Sequence, residues 1–184
     1  MMKWKALKLV GLFFFFFLLA SCGAPQKEIR DSNKDFTYDK LYPVTESVAT
    51  SDYGIQVTGY KIVKDTEDLP AIIVYYDFNN KTDDDDVMPY DIYMDAYQES
   101  NIQDGDDTLY EADLSGKAYD ENETLFDNAF EVVESGGSIK AATTFKLRNN
   151  KHNVELEYYD SDEEYGGTIE LNIEKEITGD SNRL

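Results

Sequence analysis

Cysteine, histidine and tryptophan each occur once in 184 residues, and proline only four times. A single cysteine excludes an internal disulfide framework, so any folded domain must be held by its core. A lone histidine, His152, cannot supply the cluster of nitrogen and sulfur ligands that a zinc site needs. Basic residues are also scarce, 17 against 38 acidic ones, which gives a net charge of −21. Such a surface repels DNA, RNA and anionic lipid headgroups alike. Nucleic acid is therefore excluded as a partner, and no basic patch can hold the chain on a membrane. Long apolar runs are absent everywhere but the amino terminus.

That terminus has three zones. Lys3, Lys5 and Lys8 give a basic start. Leu9 to Ala20 forms an apolar block that includes five consecutive phenylalanines, Phe13 to Phe17. The block ends in Leu19-Ala20-Ser21-Cys22, small residues leading to the only cysteine. A charged start, a short apolar core and a small-residue cleavage site make a secretory signal peptide. A retained anchor fails on length, because a spanning helix needs ~17–25 apolar residues.

The ending resembles the lipobox of bacterial lipoproteins, in which Leu, two small residues and Cys stand in that order. By that resemblance Leu19, Ala20 and Ser21 are the signal-peptidase recognition residues and Cys22 is the lipidated one. The cysteine thiol receives a diacylglyceryl group, and cleavage before it makes Cys22 the new amino terminus. Each buried CH₂ contributes about 0.8 kcal/mol, so one chain anchors reversibly and two anchor stably. The alternative, an ordinary signal followed by an incidental cysteine, does not explain why the only cysteine falls after Leu-Ala-Ser. Cleavage removes three lysines and no acid, which takes the net charge from −21 to −24. The expected location is the cell membrane, lipid-anchored on its extracytoplasmic face.

Four regions follow: a signal peptide over residues 1–21, a flexible tether over 22–47, a β-sandwich domain over 48–176 and a disordered tail over 177–184. The tether and tail are polar and lack apolar periodicity. Between them, apolar residues alternate with period two. Ile55 and Val57 fit one face while Tyr60 and Ile62 fit the other, which predicts a bulge at Gly59. Val74, Tyr76 and Phe78 form a second set, and Tyr90, Ile92, Met94 and Ala96 a third. Then come Ile139 to Leu147, Val154 to Tyr158 and Ile169 to Ile173. Turn signals separate them: Asn79-Asn80, Asp104-Gly105, Gly136-Gly137, Asn149-Asn150 and Gly166-Gly167. Six or seven strands, each with one wet face, predict an all-β antiparallel sandwich. A short strand is expected near Thr108 to Ala112, and a turn or two of helix within residues 121–134.

Several segments together resemble the DUF5067 domain of Firmicutes lipoproteins, which is close to the DUF4352 lipoprotein domains. They are Tyr60 to Asp65, then Pro70 to Asn80 with its V-x-Y-x-F-x-N ending, then Met94-Asp95-Ala96-Tyr97-Gln98. The glycine-led strand Gly137 to Leu147 and Val154-Glu155-Leu156-Glu157 continue the pattern. The resemblance spans roughly residues 48–175. It implies an immunoglobulin-like β-sandwich on the outer face of a Gram-positive membrane. It implies no activity and transfers no functional residue. The Asp83-Asp84-Asp85-Asp86 run departs from the family's polar turn.

Candidate sites are few. His152 lies among Asn149, Asn150, Lys151 and Asn153, so a solvent-facing turn is expected rather than a triad. Once Cys22 is lipidated, no thiol remains for a Cys–His nucleophile. Asp83, Asp84, Asp85 and Asp86 form a candidate weak Ca2+ site, with Asp104, Asp106 and Asp107, or Asp160, Asp162, Glu163 and Glu164, as further ligands. Consecutive aspartates diverge and repel, and the Asp104 segment has Leu109 and Ser115 where an EF-hand needs Gly and Glu. A solvated loop is the simpler reading. Paired carboxylates of a glycosidase arise by chance among 38 acids. Tyr75, Tyr93, Tyr97 and Tyr159 are expected to point outward, forming an interaction face if they share one sheet. Otherwise they form cross-strand pairs or lie under a loop. The expected function is a non-enzymatic, cofactor-free interaction module for an unknown protein or envelope polymer. The alternative is a calcium-modulated adhesin or a carboxylate-based envelope hydrolase.

Overall fold

The computed structural model describes residues 36–100, 107–160 and 162–173. Among the described residues eight strands form: β1 (Leu41–Ala49), β2 (Tyr53–Lys64), β3 (Pro70–Asn80), β4 (Tyr93–Tyr97), β5 (Thr108–Leu109), β6 (Ser138–Lys146), β7 (Val154–Tyr159) and β8 (Tyr165–Leu171). Two five-residue helices, α1 (Gly116–Asp120) and α2 (Glu123–Asp127), lie between β5 and β6. All strand pairs are antiparallel. The first sheet has the order β1-β2-β3-β6 and the second β5-β4-β7-β8.

The period-two sets in the sequence become the inner faces of these sheets. Ile55, Val57, Tyr60 and Ile62 on β2 join Ile72, Val74, Tyr76 and Phe78 on β3. They pack in one cluster with Ala96, Leu156, Tyr158, Ile169 and Leu171 of the second sheet. The fold is thus an all-β antiparallel sandwich. Its first three strands run as a meander, whereas an immunoglobulin constant domain separates its second and third strands between sheets. The sandwich architecture is shared and the connectivity is not.

The register of β2 against β3 shifts between Val57 and Gly59, the bulge expected from the switch in alternation. Gly59 is required there by close approach: a Cβ would stand 2.8 Å from the Tyr42 carbonyl oxygen. The fold also starts earlier than residue 48. Phe36 is buried, the Asp39 amide donates to the Ile62 carbonyl, and Tyr42 stacks on Tyr60 at 5.0 Å. Residues 36–47, read as tether, therefore belong to the sandwich. Polar β1 is an edge strand with Tyr42 as its one buried residue, and a register shift between Pro43 and Glu46 interrupts its alternation.

Three further expectations change. Tyr90 and Ile92 precede β4 rather than extending it, because Pro89 opens a one-turn 3₁₀ segment over Pro89–Asp91. The strand near Thr108 stops at Leu109. Gly166-Gly167 is a bulge within β8, and the turn before that strand lies at Asp160–Glu164.

The two side seams differ. On one side β1 closes against β8, where Gly167, at φ 134°, would bring a Cβ within 2.9 Å of Val48 Cγ1. On the other side β5 covers β4 only at Ala96 and Tyr97. A crevice of about 230 Å³ remains beside Met94, reaching Thr143 and Tyr76 on the first sheet.

Candidate functional site

Where β2 ends and β3 begins, the outer face of the first sheet is apolar and covered, contrary to the expectation of one wet face per strand; towards its other end it stays polar, with Gln56, Ser138 and Lys140 exposed. Val63, Ala71, Ile73 and Ala142 point outward and are buried beneath Ala112, Leu114, Ala118, Leu125 and Phe126. This second core explains why β3 begins with five buried residues in succession: both its faces are dry. The cover is fastened to β6, whose Thr144 hydroxyl donates to the Ala112 carbonyl at 2.8 Å.

Tyr75 belongs to this covered face. Its hydroxyl donates to Asn122 Oδ1 at 3.0 Å. Burial, with the Glu121 carboxylate adding to it, pushes the phenol up to about 12. Tyr75 therefore packs under the helical segment and does not share a surface with the other three candidate tyrosines.

Those three do share one, the outer face of the second sheet. Register places Tyr93, Tyr159 and Tyr165 in one row across β4, β7 and β8. The next row is Asp95, Glu157 and Thr168, and the third is Tyr97, Glu155 and Glu170. Tyr159 and Tyr165 rings meet at 5.4 Å, and the Tyr159 hydroxyl donates to Glu157 Oε2 at 2.9 Å. That bond, more than burial, pushes the Tyr159 phenol up to about 12, so it stays a neutral donor. No lysine or arginine stands among these nine positions. Tyr93 and Tyr165 are more than half exposed. Tyr90 and Phe130, their rings tilted against each other at 4.8 Å, extend the exposed aromatic surface to the crevice beside β4. Tyr165 was not among the tyrosines expected outward. It follows an acidic run and precedes the glycine pair that breaks the alternation, leaving no period to place it.

The aspartate run is an exposed loop in which two side chains, those of Asp84 and Asp85, accept backbone amides. Asp84 Oδ1 accepts from the Asp86 amide at 3.0 Å, and Asp85 Oδ1 accepts from the Ser135 amide at 2.9 Å. Asp83 and Asp86 are exposed. The loop Asp160–Glu164 is built similarly: buried Asp160 accepts the amides of Asp162 and Glu164 through Oδ1. Among the described residues no group of three or more His, Cys, Asp or Glu side chains is placed to hold a metal ion. Asp104 and Asp106 lie outside the described residues, as do Leu19, Ala20, Ser21 and Cys22. His152, half-buried in its turn, meets Glu99 Oε2 through Nδ1 at 3.1 Å.

The polar residues of the family-like motifs turn out to be pins. Asn80 is fully buried, donating to the carbonyls of Asp84 and Val133 and accepting from Thr82. Gln98 donates to the carbonyls of Asn149 and His152 and accepts from the amides of Arg148 and Asn149. All their hydrogen-bonding capacity serves loop closure, which is how buried amides are normally accommodated.

Geometry thus defines a two-sheet β domain with a helical cover over part of one outer face and exposed tyrosines and carboxylates on the other. The chain belongs to the family described as "Domain of unknown function (DUF5067)", which matches residues 28–160. The match begins before β1, in keeping with a fold that starts ahead of residue 48. Among solved structures, the chain is similar to a "putative lipoprotein" from Staphylococcus aureus subsp. aureus NCTC 8325. That likeness has 14% identity and a TM-score of 0.57, covering 74% of this chain and 94% of that one. It is also similar to a protein from Enterococcus faecalis, at 16% identity and TM-score 0.51, covering 77% and 98%. At such identities the likeness concerns the fold. No functionally curated protein matches the chain. Among the described residues no helix is long and apolar enough to cross a membrane.

Proposed function

We propose that the protein is a lipid-anchored, extracytoplasmic interaction domain without enzymatic activity, held at Cys22 and binding its partner through the outer face of the second sheet. The observation that carries the reading is the contrast between the two faces. A chain that roofs one sheet leaves four tyrosines, Tyr93, Tyr97, Tyr159 and Tyr165, on the other. Tyrosine is favoured at interfaces because it offers a rigid apolar body with a polar tip. The likeness to a structure described as a lipoprotein supports the anchor, together with the Leu19-Ala20-Ser21-Cys22 sequence.

The chain enters the fold at Phe36–Lys40, at the pole where β2 ends, where Lys40, Lys61, Lys64, Lys146 and Arg148 are interspersed with Asp39, Asp65, Glu67 and Asp68. The opposite pole carries Asp83–Asp86 and Asp162–Glu164; there Ser51 Oγ reaches Glu164 at 3.0 Å. An anionic membrane would repel that acidic pole outward. The calcium-modulated reading draws no support from the described carboxylates, no three of which are grouped to hold an ion.

Envelope material retained by the immobilised full chain tests the proposal. The pair Tyr97→Ser and Tyr165→Ser should lower retention at least fivefold while leaving the unfolding midpoint within a few degrees. Undiminished retention would contradict an interaction surface on this face.

A further inference from the structure

The bare face also bears on the chemistry of the partner. We infer that its occupant is an extended, basic polypeptide segment with Lys or Arg at alternate positions. This rests on the reading of the second sheet as the interaction face and names what that face takes.

The argument begins with charge. Asp95, Glu157, Glu155 and Glu170 stand on the face with the four tyrosines, and the ninth position is Thr168. A mixed surface normally intersperses both signs. Here every charge is negative, and the chain as a whole carries −21. An anionic polymer would be repelled, and a neutral glycan would leave four carboxylates without a counter-charge. A cation instead gains twice, from the carboxylates and from the ring faces, since a cation within about 6 Å of a tyrosine ring is attracted by its quadrupole.

Spacing favours an extended chain over a compact cation. Rows on one face of a strand repeat every second residue, roughly 6.7 Å. Side chains on one face of an extended peptide repeat at the same distance. A segment running along β4 would therefore set successive basic side chains at the Tyr93, Asp95 and Tyr97 rows. The fixed hydrogen bonds from Tyr159 to Glu157 and from Asn153 to Glu170 hold two of the four carboxylates in place for it.

The test uses the full chain purified in a neutral detergent, at 0.15 M salt. There the screening length of about 8 Å suppresses general attraction to a polyanion. The probe is a fluorescein-labelled nonapeptide of alternating Lys and Thr, followed by anisotropy. Saturable binding is expected, weakened at least tenfold by Glu155→Gln, Glu157→Gln and Glu170→Gln together. Removing three charges elsewhere, by Asp83→Asn, Glu131→Gln and Glu134→Gln, should cost less than twofold. Tyr97→Leu with Tyr165→Leu should weaken binding about fivefold, as two exposed cation–π contacts imply. Equal losses in both charge triples would overturn the inference in favour of unspecific polyanion attraction. So would equally tight binding of spermine or of a peptide with its lysines in one block. If the peptide fails to bind while envelope retention still depends on Tyr97 and Tyr165, the basic-segment inference falls and the interaction face stands.

Discussion

The two outer faces of the sandwich are made from overlapping alphabets and end in opposite states. Both present tyrosine. On the first sheet Tyr75 is flanked by Val63, Ala71, Ile73 and Ala142, and residues 112–126 fold over it. On the second, tyrosines alternate with Asp95, Glu157, Glu155 and Glu170, and Tyr93, Asp95, Glu155, Tyr165 and Glu170 stay exposed. The neighbours decide. Aliphatic companions make covering worthwhile at roughly 25 cal/mol per Å² of apolar surface. Carboxylates in the same positions would lose their hydration under a cover and so keep the face open. A tyrosine in a strand therefore signals an interaction face only when its i±2 and cross-strand neighbours are read with it.

Breaking the comparison from the covered side should give the largest effect. Ile73→Ala removes a fully buried side chain beneath the helical cover and should destabilise the domain by about 3 kcal/mol, read from denaturant unfolding. Gln98→Leu strands the groups its amide satisfies and should destabilise by about 2 kcal/mol, with the loop of Asn149 to His152 exchanging its amides faster. Tyr75→Phe removes one bond to Asn122 and should cost about 1 kcal/mol. Thr168→Ala, on the bare face, should change stability by less than about 0.5 kcal/mol. A similar cost for Ile73→Ala and Thr168→Ala would remove the distinction between the faces.

Alkaline pH sharpens the same contrast. The Tyr75 phenol sits at about 12 in the fold against 10.0 for the free group, mainly through burial. Burial likewise raises Tyr76 and Tyr158. A raised phenol keeps its proton in the folded state while the unfolded chain loses it. The stability tied to these groups is therefore complete below about pH 10 and is lost as pH rises towards 12. Phenolate absorbance from these three should accordingly appear only together with unfolding, and that of Tyr159, held by Glu157, should also come late. One smooth titration without unfolding would contradict the burial assigned to them.

The inner faces of β2, β3, β6 and β7 were legible in the sequence because their apolar residues recur at period two, and because Gly59 marks where the set in β2 changes sides. The outer cover was not. Its helices are five residues each, too short for an amphipathic stripe, and they follow a two-residue strand. A clue lay in Ala71-Ile72-Ile73-Val74, four apolar residues in a row, which a strand with one wet face would not need. β1 was hidden by its polarity and by its irregular register opposite Gly59. Of the candidate tyrosines, Tyr93, Tyr97 and Tyr159 lie on one sheet face, Tyr75 lies under the helical cover, the kind of burial the sequence left open as the alternative, and Tyr165 sits beside the Gly166-Gly167 bulge, where alternation gives no guide. The aspartate run stands out by its composition, yet Asp84 and Asp85 hold the amides of Asp86 and Ser135, a role that a count of acids does not reveal.

The most direct test of the central claim is a map of amide chemical-shift changes when the isotopically labelled full chain is titrated with the alternating Lys–Thr peptide. The account predicts changes concentrated on β4, β7 and β8, at Tyr93 to Tyr97, Glu155 to Tyr159 and Tyr165 to Glu170. Changes centred instead on Asp83 to Asp86, or on the covered face around Tyr75, would contradict it.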